Sequence, residues 1–184
     1  LKGEYSAAAE RFAACLPCGD ELAIAVIYWH TLSRYHTGDK AELLSAYHQE
    51  MDVGHHTAYR LAVSVFCGNV PWEDAAAKAE QDPNDLNAVI TLYGICGYLR
   101  TVGQPEESRV LLHRLLARSS CWPCISYLAA WNDIHSGEMV ETQQCRILAS
   151  SALKSAEEAF SDHHRCRVLR GKETFFKAQY LPFF

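Results

Sequence analysis

Five glycines recur along this chain at nearly equal intervals, each between two segments with helical periodicity. They are Gly3, Gly38, Gly68, Gly103 and Gly137, and the intervals are 35, 30, 35 and 34 residues. Apolar residues recur every three or four positions in stretches such as "DLNAVITLYGICGYLRTV", whereas alternating strand patterns are nearly absent. A spacing near 34 residues is typical of stacked helix–turn–helix units. The sequence therefore predicts an all-α repeat fold, and a helical bundle with coincidentally spaced glycines is the alternative.

Two of the segments that follow these glycines resemble the second helix of the tetratricopeptide repeat family. In "GEYSAAAERFAACL", Tyr5 is followed by the small Ala8 and then by the aromatic Phe12 one turn later. "GQPEESRVLLHRLL" repeats this order with the small Ser108. In "AEQDPNDLNA", Pro83 cannot continue a helix and Asp85 can cap the next one.

Other segments depart from the family pattern. Leu43 stands where a small residue is expected after Gly38, and Arg146 replaces the aromatic residue after Gly137. The 30-residue interval indicates a shortened first helix near residues 56–67.

The resemblance implies a right-handed superhelical stack of antiparallel helix pairs, that is, an α-solenoid. We expect this stack over residues 1–160, with four to five repeats of which the first is partial. Residues 161–184, which end in "ETFFKAQYLPFF", are expected to form a C-terminal cap or an interaction tail.

Composition and motifs exclude several classes of function. The net charge of −5 and the lack of a basic run argue against nucleic-acid binding. No apolar stretch approaches the roughly 18–20 residues that span a bilayer. Eight cysteines among 184 residues fall short of a disulfide scaffold, which favours a cytoplasmic location. Because no phosphate loop, zinc-protease motif or nucleophile elbow occurs, we predict no enzymatic activity and no cofactor.

Dense groups of metal-ligating residues occur at His55–His56 and at Asp162–Cys166 ("DHHRC"). Neither has a second ligand pair at the usual local spacing. We therefore interpret both as polar surface at helix ends and predict no metal site.

Two Cys-x-Pro-Cys motifs, at Cys15–Cys18 and Cys121–Cys124, fall in equivalent loops three repeats apart. Neighbouring helices lie roughly 8–10 Å apart, so this register separates the motifs by tens of ångströms. They could not share one zinc ion with bonds of about 2.3 Å. We interpret them as turns between repeats; a local disulfide or a reactive Cys124 thiolate is the alternative.

The family resemblance also implies a binding surface, because the first helix of each repeat lines a concave groove in that family. The matching positions form an aromatic wall with little charge: Tyr28, Trp29, Tyr35, Tyr59, Phe66, Tyr93, Gly97, Arg100, Tyr127 and Trp131, with His36, Ala62, Gly94 and His135 on the same face. Family members that hold a chaperone's C-terminal carboxylate use Lys, Arg and Asn on this face, and only Arg100 resembles any part of that clamp.

These positions predict a non-enzymatic scaffold or adaptor that binds an apolar helix or extended peptide of a partner protein. A secretion-type chaperone and a repeat domain that forms homo-oligomers within a larger regulator are the alternatives. Several of the aromatic residues could instead belong to the core between helices.

Overall fold

The computed structural model describes residues 3–135, which form α-helices, 3₁₀ helices and the turns between them. The α-helices are α1 (Tyr5–Cys15), α2 (Asp20–Thr37), α3 (Thr57–Phe66), α4 (Trp72–Glu80), α5 (Asp85–Thr101), α6 (Pro105–Leu116) and α7 (residues 125–135). Short 3₁₀ helices cover Glu42–Ala46 and Ser119–Cys121. No strand occurs in residues 3–135, which confirms the all-α class for this part of the chain.

Several predictions concern residues outside the described range. These are the repeat after Gly137, the boundary at residue 160, the tail 161–184 and the ligand group Asp162–Cys166. The superhelical arrangement also stays a prediction. Within residues 3–135, no helix combines the length and the apolar character that crossing a bilayer requires.

The four periodic glycines within the described residues lie at helix boundaries, and each adopts a left-handed backbone. Gly3, Gly38, Gly68 and Gly103 have φ angles of 78°, 73°, 72° and 78°, a region that residues with a Cβ rarely occupy. Gly38 ends α2, and Asp39 N–H then donates to the Arg34 carbonyl at 3.0 Å. From Gly38 through Gly68 to Gly103, the glycine period is therefore a period of helix endings.

Helix starts follow local chemistry as well. Asn84 caps α5, since its side-chain oxygen accepts a hydrogen bond from the Leu86 N–H at 3.0 Å. The expected cap was Asp85, which is instead the first residue of the helix. Pro105 occupies the first turn of α6, where its missing N–H costs no hydrogen bond.

The segment after Gly38 does not form the helix that the repeat pattern predicts. Residues 39–56 contain only the 3₁₀ turn Glu42–Ala46. The segment is nevertheless anchored, because Met51 and Val53 are buried and the Tyr47 hydroxyl lies 2.8 Å from the Ser64 hydroxyl. The next helix, α3, has 10 residues, which confirms the shortened first helix expected in this interval.

Helices α2 and α5 form the centre of the described unit. Helix α2 contacts α1, α3 and α5, while α5 also contacts α3, α4 and α6. Their fully buried side chains form one core, which includes Ile24, Ile27, Leu92, Ile95 and Leu99. The repeat pattern predicts a second helix after α2, but residues 39–56 do not form one. Helices α2 and α5 are in direct contact.

Candidate functional site

The aromatic residues predicted to line a groove instead contact one another in a cluster contributed by α2, α3 and α5. The Tyr28 ring lies 5.0 Å from Tyr59 and 6.0 Å from Phe66, measured between ring centroids. The Trp29 and Tyr93 rings are 6.1 Å apart. The Tyr28 hydroxyl donates a 2.7 Å hydrogen bond to the Ile90 carbonyl, which fixes the ring between helices.

This packing corrects the expected exposure of several groove residues. Tyr28, Phe66 and Tyr93 are at most 8% exposed, so they form core between helices in this structure and offer almost no surface to a partner. Trp29, Tyr35 and Tyr59 are half-buried against the same cluster. Aromatic side chains contribute most to binding or stability when neighbouring rings bury them. Here the neighbouring rings belong to the same chain, so the burial stabilises the fold.

The two glycines inside α5 are explained by the same close packing. A Cβ at Gly94 would lie 2.7 Å from Tyr28 Cε2 and 2.8 Å from the Ala62 Cβ. A Cβ at Gly97 would overlap the end of the Leu32 side chain. Gly97 is thus buried by α2 rather than exposed to a ligand.

The remaining predicted groove residues lie on and around α7. Tyr127 is half-buried and donates to the Leu116 carbonyl at 3.1 Å. Trp131 is 51% exposed, and its ring stacks on His135 at 3.9 Å. Arg100 pairs with Asp133 at 2.7 Å, so its guanidinium already holds a carboxylate of this chain. The peptide-binding role of all ten predicted residues stays a prediction.

The candidate site is a cleft of about 350 Å³ between α1 and α2 on one side and α7 on the other, with Tyr93 of α5 between them. Most of its lining is apolar. The lining residues are Tyr5, Ala8, Phe12, Trp29, Leu32, Ser33, His36, Tyr93, Ile125, Ala129, Asn132 and Asp133. Trp29, His36 and Tyr93 are therefore the residues of the predicted groove face that line the cleft.

One end of the cleft is polar. Asp133, whose side chain is only 8% exposed, accepts hydrogen bonds from Arg100 at 2.7 Å and from the Tyr93 hydroxyl at 3.3 Å. The Tyr5 and His36 rings stack with 4.1 Å between centroids. This arrangement gives the cleft a fixed ion pair at one end and an apolar wall along the rest.

These neighbours shift the protonation of the polar groups. Burial raises the pKa of Tyr93, and the nearby Asp133 charge raises it further. The same two causes raise the pKa of Tyr5. Burial lowers the pKa of His36, and the positive charge of Arg100 acts in the same direction. The two tyrosines thus remain neutral hydrogen-bonding groups near neutral pH.

The cysteine motifs lie close to this cleft but do not form a shared site. Cys15, Cys18, Cys121 and Cys124 are free thiols. Phe12, three residues before Cys15, and Ile125, directly after Cys124, line one cavity, so the cleft brings the surroundings of the two motifs closer together than the repeat register predicts. Among residues 3–135, the one group of three or more potential metal ligands within 4.8 Å of one another contains no cysteine.

Comparisons with known proteins found no matching family model, no matching curated protein and no matching solved structure.

Sequence reasoning missed the contribution of α1 and of Ile125 to the cleft. Tyr5, Ala8 and Phe12 carry the family resemblance but also form one wall. No local pattern relates them to Ile125, because the two walls come from opposite ends of the described residues. Asp133 was missed for the same reason, although its partner Arg100 was singled out.

Proposed function

We propose that this chain is a protein-interaction module that binds an apolar segment of a partner protein in the cleft between α1, α2 and α7. The observation that carries this proposal is the apolar cleft itself, which is partly open to solvent and lined by aromatic and aliphatic side chains from α1, α2, α5 and α7. The helical-repeat arrangement expected from the sequence belongs to the same proposal, since repeat proteins bind partners through extended inner surfaces.

The size of the cleft favours side-chain anchors. A volume of about 350 Å³ lies at the lower end of the range of about 300–1,000 Å³ for small-molecule pockets. Such a volume suits one or two bulky apolar side chains of a bound helix or extended peptide. Anchors of this kind supply most of the binding free energy at protein interfaces.

The surface beside the cleft supports a protein ligand. Ile125, Leu128 and Trp131 are spaced three residues apart on α7, and they are 61%, 38% and 51% exposed. Ile125 also lines the cleft. The apolar lining therefore continues onto an exposed stripe of α7. A bound peptide longer than the cavity could contact this stripe.

The proposal can be tested by selecting ligands from a displayed peptide library with the full chain and measuring their affinities. We expect selected peptides to share bulky apolar residues at a fixed spacing. We expect Ile125→Asp to weaken their binding by at least ~10-fold, because a carboxylate at the cleft wall must be desolvated. Ile125 is at the start of α7, where an acidic residue does not disfavour the helix.

Leu22→Asp is the matched control. Leu22 is 59% exposed in the first turn of α2 and does not line the cleft, so this variant should bind like the wild type. Selected peptides that bind both variants equally would contradict the proposal, as would a library from which nothing is enriched. Self-association of the wild type that Ile125→Asp abolishes would assign the cleft to a second copy instead of a separate partner.

A further inference from the structure

The geometry points to a zinc-binding site formed by Glu21, His55 and His56, outside the cleft. Glu21 lies in the first turn of α2, and the two histidines immediately precede α3. One ligand atom from each residue lies within 4.8 Å of the other two. The site therefore joins two segments that are separated by more than thirty residues in the sequence.

The distances match the edges of a metal coordination sphere. Glu21 Oε1 lies 2.9 Å from His55 Nδ1 and 3.9 Å from His56 Nδ1. Ligand atoms around a tetrahedral zinc ion with bonds of about 2.0–2.2 Å lie about 3.4 Å apart. The observed distances bracket this value within 0.5 Å, and Glu21 and His55 are exposed enough to make the adjustment.

A polar atom without a partner supports the assignment independently. His56 Nδ1 is buried and makes no hydrogen bond with any described residue, although it faces the Glu21 carboxylate at 3.9 Å. A buried nitrogen without a partner costs free energy. A metal ion held between His56 and Glu21 would satisfy this nitrogen through its lone pair.

The backbone of the loop brings the histidines to the carboxylate. Gly54 has a φ of 50°, and a Cβ at this position would lie 2.6 Å from Glu21 Oε1. The loop is held by the buried Val53, whose carbonyl accepts a 2.8 Å hydrogen bond from the His56 N–H. Gly54 N–H donates to Asp52 Oδ1 at 3.2 Å. The close approach of loop and carboxylate is therefore fixed by the fold around the site.

Two imidazoles and one carboxylate form a donor set that suits Zn²⁺. Zinc sites with three such ligands leave a fourth position for water or another ligand. The His55 and Glu21 side chains are 81% and 49% exposed, so solvent reaches two of the three ligands. Co²⁺ accepts the same ligands and provides a visible absorption spectrum.

The experiment is a Co²⁺ titration of the full chain with reduced thiols, followed by competition with Zn²⁺. We expect visible d–d absorption without a thiolate charge-transfer band, and its loss when zinc is added. His55→Ala is the principal variant, because a side chain that is 81% exposed can be removed without affecting the fold. It should weaken zinc binding by at least ~10-fold, since changes even outside the ligand set cost about 10–100-fold.

Glu21→Gln and His56→Ala should weaken binding similarly, with folding checked by circular dichroism. His48→Ala is the matched control, because His48 is an exposed histidine 3.7 Å from a carboxylate, Glu50, and belongs to no three-ligand group. A second control, His163→Ala with His164→Ala, removes the other histidine pair in the sequence. The proposal is overturned if the wild type binds no zinc, if His55→Ala binds like the wild type, if the second control abolishes binding, or if a thiolate band appears.

Discussion

The segments that follow Gly38 and Gly103 begin alike and fold differently. Both glycines have a positive φ at the end of a long helix, α2 or α5. After Gly103 the chain forms the 12-residue helix α6, which packs along α5. After Gly38 it forms a 3₁₀ turn and an irregular loop. A helix-ending glycine therefore fixes where the first helix ends, but the residues that follow decide whether a second helix forms.

The two segments differ in the residue that lies five positions after the glycine. Ser108 is the fourth residue of α6 and only 1% exposed, and its hydroxyl donates to the Cys96 carbonyl at 3.0 Å. Ala75 occupies the fourth position of α4 and is fully buried. Leu43 stands at the corresponding position after Gly38. Small side chains permit helices to approach closely, and a leucine at this position increases their separation.

Ser108→Leu should therefore have the largest effect on stability. We expect a loss of about 2–4 kcal/mol, since overpacking costs about 1–3 kcal/mol and the lost hydrogen bond about 1 kcal/mol. Urea denaturation followed by circular dichroism measures this loss. The matched change Leu43→Ala, at a half-buried position, should cost only about 1 kcal/mol. Equal losses in the two variants would contradict the importance of a small residue at this position.

Gly94→Ala should have the next largest effect, because it tests the convergence of α2 and α3 on α5. The new Cβ would meet the Ala62 Cβ and the ring of Tyr28, and neither group can rotate away. Overpacking should exceed the gain in helix propensity of about 1 kcal/mol, leaving a net loss of about 1–2 kcal/mol. Thermal or urea denaturation measures it.

Gly97→Ala is the control for that prediction. It gains the same helix propensity but meets only the end of the Leu32 side chain, which can change rotamer. We expect a change near zero in the free energy of unfolding. If the two alanine variants are equally stable, α5 is not packed as closely as the structure indicates.

Acid should produce the smallest change, through His30 beneath the irregular segment. His30 is fully buried, and its Nε2 lies 3.8 Å from Glu42 Oε1. Burial lowers the pKa of His30; the Glu42 charge opposes this shift and the Arg34 charge adds to it. Just below about pH 6.5, the folded chain thus binds fewer protons than the unfolded chain. The folded state is therefore most stable, as far as His30 is concerned, above that pH, and it loses stability as the pH falls.

Urea denaturation at several pH values tests this dependence. His30→Leu should lose less stability than the wild type between about pH 7.5 and about pH 5.5, since the variant removes the His30 part of the proton-binding difference and leaves that of His36. His48→Leu, at an exposed histidine, should keep the wild-type dependence. A wild-type chain that becomes more stable over the same acid range would show that the sign is wrong.

Helix boundaries could be predicted from the sequence because their causes are local. Gly38, Gly68 and Gly103 end helices through their own φ angles, and Pro105 begins one through its own ring. The short α3 followed from the interval between glycines alone. These features depend on a few neighbouring residues, so a single sequence contains enough information to place them.

The cleft and the proposed metal site could not be predicted, because both depend on distant segments. The sequence indicated which helix faces are aromatic, and Tyr28, Tyr59 and Tyr93 do lie on faces that meet. The distance between those faces depends on residues 39–56, which do not form the helix that the repeat pattern predicts. Likewise, His55 and His56 were noted as a pair, but nothing near them in the sequence indicated Glu21 as their neighbour.

The cleft shared by α1 and α7 limits how this chain could be lengthened. In a repeat array whose units contact only their neighbours, one unit can be inserted or deleted and the others keep their contacts. Here Phe12 and Ile125 line a single cavity although five helices separate their own helices along the chain. A helix pair inserted between them would move its two walls apart. The number of helices between α1 and α7 is therefore fixed by the cavity. We expect α1 to pack on α2 as soon as α2 has been synthesised, and the cavity to be complete only after α7 has followed.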